Sequence, residues 1–213
     1  MFNENDKKRF LALWKELGGK EEDGPGVFTA VNALYANPQR RYYTAGRIQN
    51  FLAELDEVRH HIENPALVEA AVMLSNVIHN LRLSNGSELS SASFARDLLY
   101  CSGISDVHAE GVYNLIVATR DPFITPEHGD TKILLDIILS PLGVPSEKFD
   151  ENTRLLREEY PWESEEVFMK YQANQVHAFL QHPPIFRTEH FNRKYGERAT
   201  DNIMRLCGNA ITL

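Results

Sequence analysis

The sequence predicts an all-α fold, a single bundle of about eight to ten helices. Apolar residues recur at three- and four-residue steps through most of the 213-residue chain. No segment sustains the two-residue alternation, bounded by glycine-rich turns, that a sheet requires. Between the periodic stretches stand short runs of Gly, Pro, Ser, Asp and Asn, the residues that cap or stop helices.

Phe10–Leu17 reads as the first helix, stopped by Gly18-Gly19. With the Gly18–Gly26 stretch it makes residues 1–26 an N-terminal helix and flexible connection. Val27–Tyr35 follows and ends before Asn37-Pro38. In Arg47–His60, the residues Ile48, Phe51, Leu52, Leu55 and Val58 form one apolar stripe. Glu54, Asp56, Glu57 and Arg59 fill the remainder, as a half-buried helix requires. Ala66–Leu83 is apolar around more of its circumference, through Leu67, Ala70, Val72, Met73, Leu74, Val77, Ile78 and Leu81. It is therefore expected to run as one long central helix, whose polar groups need internal partners.

Ser87 or Ser90 starts the next helix, which continues through Phe94, Leu98 and Leu99. Ser105-Asp106 caps Val107–Thr119, and Asp130 caps Ile133–Leu139, which Pro141-Leu142-Gly143 ends. Ser146-Glu147 opens a helix that stops at Tyr160-Pro161. Ser164-Glu165-Glu166 opens a long one ending near His182-Pro183-Pro184. Thr188 or His190 opens the last, which carries Ile203, Met204 and Leu206. Arg120–Gly129 is the longest internal loop. With no repeat, low-complexity tract or long linker, one domain over residues 1–213 is expected.

Hydrophobic residues make up 43% of the chain and charged residues 24%, an ordinary globular balance. The net charge of −8 excludes an extended nucleic-acid surface, although Arg40-Arg41 remains a local contact point for one phosphate. No apolar run reaches the roughly 18–20 residues that cross a bilayer, and the first residues lack a secretory apolar core. Cys101 and Cys207 are too far apart in sequence to suggest a zinc or redox pair. A cytoplasmic, reduced protein with no membrane contact is expected. Asn85-Gly86-Ser87 matches a glycosylation sequon and is read as a turn.

Four segments stand in a telling order. They are Tyr35-Ala36-Asn37-Pro38-Gln39-Arg40-Arg41-Tyr42-Tyr43-Thr44, Val72-Met73-Leu74-Ser75-Asn76, Ser87-Glu88-Leu89-Ser90-Ser91-Ala92, and Leu134-Leu135-Asp136-Ile137-Ile138-Leu139-Ser140-Pro141-Leu142-Gly143. Arg157-Glu158-Glu159-Tyr160, Phe179-Leu180, Ile185-Phe186-Arg187-Thr188, and Glu197, Ala199 and Asn202 extend the series. Together they resemble the predicted metal-dependent phosphohydrolases of the HD superfamily. The first is similar to that family's Tyr-x-x-Pro-x-Arg-x-Tyr-His-Thr, the second lies where its His-Asp pair is carried, the third resembles Asn-Glu-x-x-Ser-Ala, and the fourth Leu-Asp-x-Asp-Leu-x-x-Leu-Gly. The resemblance runs from about Tyr35 to Leu206. It implies a helical HD-type domain and a divalent metal held by imidazoles and carboxylates, which acidifies a water and neutralises phosphate charge.

Carried over position by position, those ligands are replaced. The first His falls on Tyr43 and the second on Arg47; the His-Asp pair falls on Ser75-Asn76; a later His falls on Pro122, and the final Asp on Ile138. A guanidinium at Arg47 repels a cation where the family holds one. Two arginines that the resemblance places in the later helices fall on Gln172 and His182. Arg40, Tyr42, Glu88, Asp136, Arg157 and Glu197 are retained, and serve either a ligand or buried ties between helices.

Other raw material for a metal is His79, His60-His61, His128 with Asp121 and Asp130, and Asp136. His60 and His61 are expected to diverge, and Ser75 has no neighbouring base in sequence. The expectation is therefore a catalytically degenerate homologue, with no catalytic residue and no cofactor, that binds or scaffolds. A pocket of Arg40, Tyr42, Arg47, Ser75, Asn76 and Asp136 would take an anionic small molecule or nucleotide, unless Arg47 simply neutralises Asp136. The alternative is a phosphoesterase or nucleotidase with rearranged ligands for Mn, Mg or Fe. A protein partner or self-association is a third use of the helical surface.

Overall fold

The computed structural model describes residues 1–79 and 87–211, and among them every regular element is helical: ten α-helices and two 3-10 turns. The chain divides into two compact units, Met1–Leu134 and Leu135–Leu213.

The first unit begins with α1 (Glu4–Glu16), which starts earlier than the apolar pattern indicates. Asn3 and Asp6 form a reciprocal capping box, so the first turn is held by side chains rather than by burial. Gly18, at φ +91°, ends the helix in the left-handed region open to glycine. The stretch marked by the sequence as a flexible connection carries specific ties. Gly19 N donates to Trp14 O, and the indole Nε1 donates to Lys20 O at 2.9 Å. The next helix, α2 (Gly24–Tyr35), packs back on α1 through Phe2, Phe10 and Phe28.

α3 (Ala45–Val58) buries the expected stripe and passes through a 3-10 turn, Arg59–His61, into α4 (Pro65–Leu74). α4 packs on α1, α3, α5 (Ser87–Cys101) and α6 (Asp106–Ala118), and every residue from Val68 to Leu74 is buried. It is the central helix of this unit, but it is short. The helix expected to reach Leu83 stops at Leu74, and residues 80–83 lie outside the described residues, as do Asn85 and Gly86 of the sequon.

The stop has a physical cause. Tyr35 Oη donates to Met73 O at 2.9 Å, and the Arg40 guanidinium donates to Asn76 O and Val77 O, both at 2.7 Å. Ser91 Oγ accepts from Ile78 N and donates to Ile78 O. Side chains from three other elements thus take the backbone groups that further helical turns would have paired, as the accounting of buried polar groups demands.

Ser105 caps α6 as expected, accepting from His108 N. Asp130 does not cap its own helix, α7 (Gly129–Leu139), but lies within it. Its carboxylate instead accepts from Glu63 N and Asn64 N, 2.8 Å each, and fixes the chain entering α4.

The second unit contains the end of α7, a 3-10 turn at Ser140–Gly143, α8 (Ser146–Glu158), α9 (Glu165–Gln181, capped by Ser164) and α10 (Glu189–Ile211). α10 packs on α9, α8 and the 3-10 turn. Gly143 is where that turn meets α10. A Cβ there would lie 2.4 Å from Tyr195 Cβ and 2.7 Å from Tyr195 O, so the contact requires a residue without a side chain.

Candidate functional site

The segment between α2 and α3 sets the site. Arg40 is buried, and its guanidinium donates to Tyr43 O at 3.0 Å besides the carbonyls of Asn76 and Val77. Its planar face lies over the Tyr35 ring at 4.9 Å. These bonds tie the start of α3 to the end of α4. Burial pushes the Tyr35 phenol well up from its ordinary value, and the Arg40 charge opposes that rise only in part. The sequence offered Arg40 as a phosphate contact; the structure uses it as a backbone clamp.

Arg47, in the first turn of α3, is held differently. Its guanidinium stacks on the Tyr42 ring at 3.9 Å, with Phe51 at 4.8 Å and Tyr43 at 5.4 Å. Cation–π contacts of this kind fix the group's position while leaving its in-plane N–H donors unused. The Nε is buried and makes no hydrogen bond. Tyr43 packs edge-on against Tyr42 and lies against the His79 ring at 4.6 Å.

Ser75 and Asn76 follow the last turn of α4. Ser75 Oγ donates to Val72 O and accepts from Asn76 Nδ2 at 3.0 Å. Pro122 lies in the loop between α6 and α7. Tyr42, Tyr43, Arg47, Ser75, Asn76 and Arg40 thus all belong to the first unit, and hydrogen bonds or ring contacts link Tyr43 to Arg40, Arg47 and His79.

Asp136 and Ile138, on α7, belong to the second unit. Asp136 is fully buried. One carboxylate oxygen accepts from Arg187 N at 2.8 Å, and the other accepts from Thr188 N at 2.8 Å and Thr188 Oγ1 at 2.7 Å. The sequence offered Arg47 as its counter-ion; the nearest guanidinium in its own unit is that of Arg187, at 3.8 Å. Burial pushes the Asp136 carboxyl up, and the bonds from Arg187 and Thr188 pull against it without cancelling it. Its role is to pin the turn that leads into α10.

The side chains at the positions where the resemblance expects ligands are poor donors for a divalent cation. Proline and isoleucine have no side-chain lone pair, Ser75 Oγ is engaged on both sides, and Arg47 is itself a cation. Among the described residues no cluster of three His, Cys, Asp or Glu side chains is arranged to hold a metal. His60 and His61, expected to diverge, lie with ring centroids 3.9 Å apart in the 3-10 turn.

The other residues singled out in the sequence, and their neighbours, divide. Arg157 donates to Glu165 Oε2, Tyr160 O and Glu163 O, which closes the turn between α8 and α9. Asn202 Nδ2 donates to Leu142 O and Val144 O, 2.9 Å each, and Arg198 Nε donates to Gly143 O. Glu88 lies in the first turn of α5, and Glu197 is exposed on α10. Sequence reasoning missed the buried Glu69 on α4, which pairs with Arg9 Nε at 2.7 Å and with Arg59, while Arg9 also grips Asp56 with both of its terminal nitrogens. Burial alone would lower the Arg9 guanidinium, but the bonds to Asp56 and Glu69 outweigh it and raise it. A lone Glu within an apolar helix was the available signal, since such a charge must be paired.

No family model matches the chain, and no curated protein and no solved structure matches it.

Proposed function

We propose that this chain is a degenerate homologue of the HD-type phosphohydrolases that holds a phosphate-bearing anion at Arg47 without hydrolysing it. One observation carries the reading: Arg47 is a guanidinium fixed against aromatic rings, with a buried Nε that has no partner. An unmade hydrogen bond at a buried donor costs about 1–3 kcal/mol, which an oxyanion in the plane of the guanidinium would recover. A planar fork suits two oxygens of one phosphate, and the Tyr43 and His79 rings beside it offer apolar surface to the rest of a nucleotide.

The test is calorimetric titration of inorganic phosphate and of adenosine monophosphate into the wild type, Arg47→Ala and Arg47→Lys, with circular dichroism to check folding. The wild type should bind, Arg47→Ala should lose about tenfold or more in affinity, and Arg47→Lys should recover part of it. Absence of binding to the wild type, or equal binding by Arg47→Ala, overturns the reading. Release of phosphate that needs added Mn, Mg or Fe and stops on chelation would establish the rearranged enzyme in its place.

A further inference from the structure

The second unit carries a cleft of about 340 Å³ between the end of α9, the segment after it and α10. That volume falls within the range of small-molecule sites. Phe179, Leu180, Ile185 and Met204 supply apolar walls, and Asn192 and Glu197 supply polar groups from α10. At Gly196 a Cβ would come within 2.7 Å of Asn192 Oδ1, so the Asn192 side chain depends on the bare glycine for its place in the lining.

Among the described residues, Glu197 is the one charged residue in this lining. The arginines of α10 are engaged elsewhere: Arg193 with Glu189, Arg198 with the carbonyls of Gly143 and Lys194, and Arg205 with Asp150. No hydrogen bond or ion pair to a described residue engages the Glu197 carboxylate. An apolar cleft whose single charge is an unneutralised carboxylate selects by sign as well as by shape. It disfavours anions, gains little from neutral polar molecules, and complements an apolar body that carries one positive charge.

We propose that this cleft binds a small organic cation, an aromatic or branched alkyl body bearing one ammonium group, with the ammonium on Glu197. The cleft shares no lining residue with the Arg47 assignment, and the failure of either leaves the other standing.

The experiment uses the full chain labelled with nitrogen-15 and two probes with the same ring and opposite charge, phenethylammonium and phenylpropionate. Phenethylammonium should shift amide resonances along α10 between Asn192 and Met204, and phenylpropionate should leave them unmoved. Glu197→Gln removes the charge and keeps the shape. Because Glu197 is exposed, its substitution should leave the melting temperature unchanged while weakening phenethylammonium about 3- to 10-fold. Equal shifts by both probes would mean simple apolar adsorption. That result, no shift by either probe, or undiminished affinity in Glu197→Gln overturns the proposal.

Discussion

The guanidinium of Arg40 is occupied by backbone carbonyls of Tyr43, Asn76 and Val77, whereas that of Arg47 rests on rings and keeps its donors. Asp136 stands on the first side of that contrast, since its oxygens are taken by Arg187 N and by Thr188. Its carboxyl is raised above the ordinary value of 3.8, burial outweighing the donors. The folded state therefore holds this proton more tightly than the unfolded chain does. The resulting contribution to stability is complete below the unfolded value and is lost as pH rises through the folded one. Thr188→Val removes a donor to the ionised form, lifts the carboxyl further, and extends that loss. Chemical denaturation should show it costing about 1.5–3 kcal/mol near neutral pH and clearly less in acid, where the carboxyl is protonated in both proteins. A cost independent of pH would mean that the hydroxyl serves α10 alone, through Phe191 N.

At the scale of elements, the contact between the Ser140–Gly143 turn and α10 leaves no room for a side chain at Gly143. Gly143→Ala would place a Cβ against the backbone of Tyr195, so α10 must move, and the grips of Arg198 and Asn202 on the same turn would loosen with it. Overpacking against backbone should cost about 3 kcal/mol, read as a lower melting temperature with helical content retained. An alanine variant as stable as the wild type would show that the turn does not need this close approach.

The same element shows where sequence reading succeeds and where it stops. The Pro141-Leu142-Gly143 stop after Leu139 was legible, and the serine caps at Ser105 and Ser164 were legible because capping is local. The capping box of Asn3 and Asp6 was equally local, and the apolar pattern drew attention away from it. The end of α4 was not legible. Val77 and Ile78 continue the helical pattern, and only Tyr35, Arg40 and Ser91, distant in sequence, decide that the chain turns. For the same reason the candidate site was half legible. Residue types place Arg47, Pro122 and Ile138 where the resemblance expects ligands, but nothing local says that Arg40 is consumed by carbonyls while Arg47 is not.

Across the whole molecule, charge sets what the surface can meet. The net charge is −8, and most of the arginines and lysines with described partners are locally neutralised. In the first unit Arg9 pairs with Asp56 and Glu69, and Arg96 with Asp97 and Glu110. In the second, Lys148 pairs with Glu151, Arg154 with Glu158, Lys170 with Glu166, and Arg205 with Asp150. Exposed pairs of this kind add little stability, but each cancels a cation that a nucleic-acid backbone would otherwise recruit. Affinity for duplex DNA comes largely from releasing counterions with many unpaired lysines and arginines along one face, and acidic neighbours oppose that at each of these places. A mobility-shift titration with a random-sequence duplex at low salt should therefore show no complex, whether or not Arg47 takes the single phosphate proposed for it. A complex that weakens steeply as salt is added would reveal a basic stripe and reverse this reading of the surface. Binding of mononucleotide without binding of duplex is the pattern that one fixed guanidinium on an acidic protein should give.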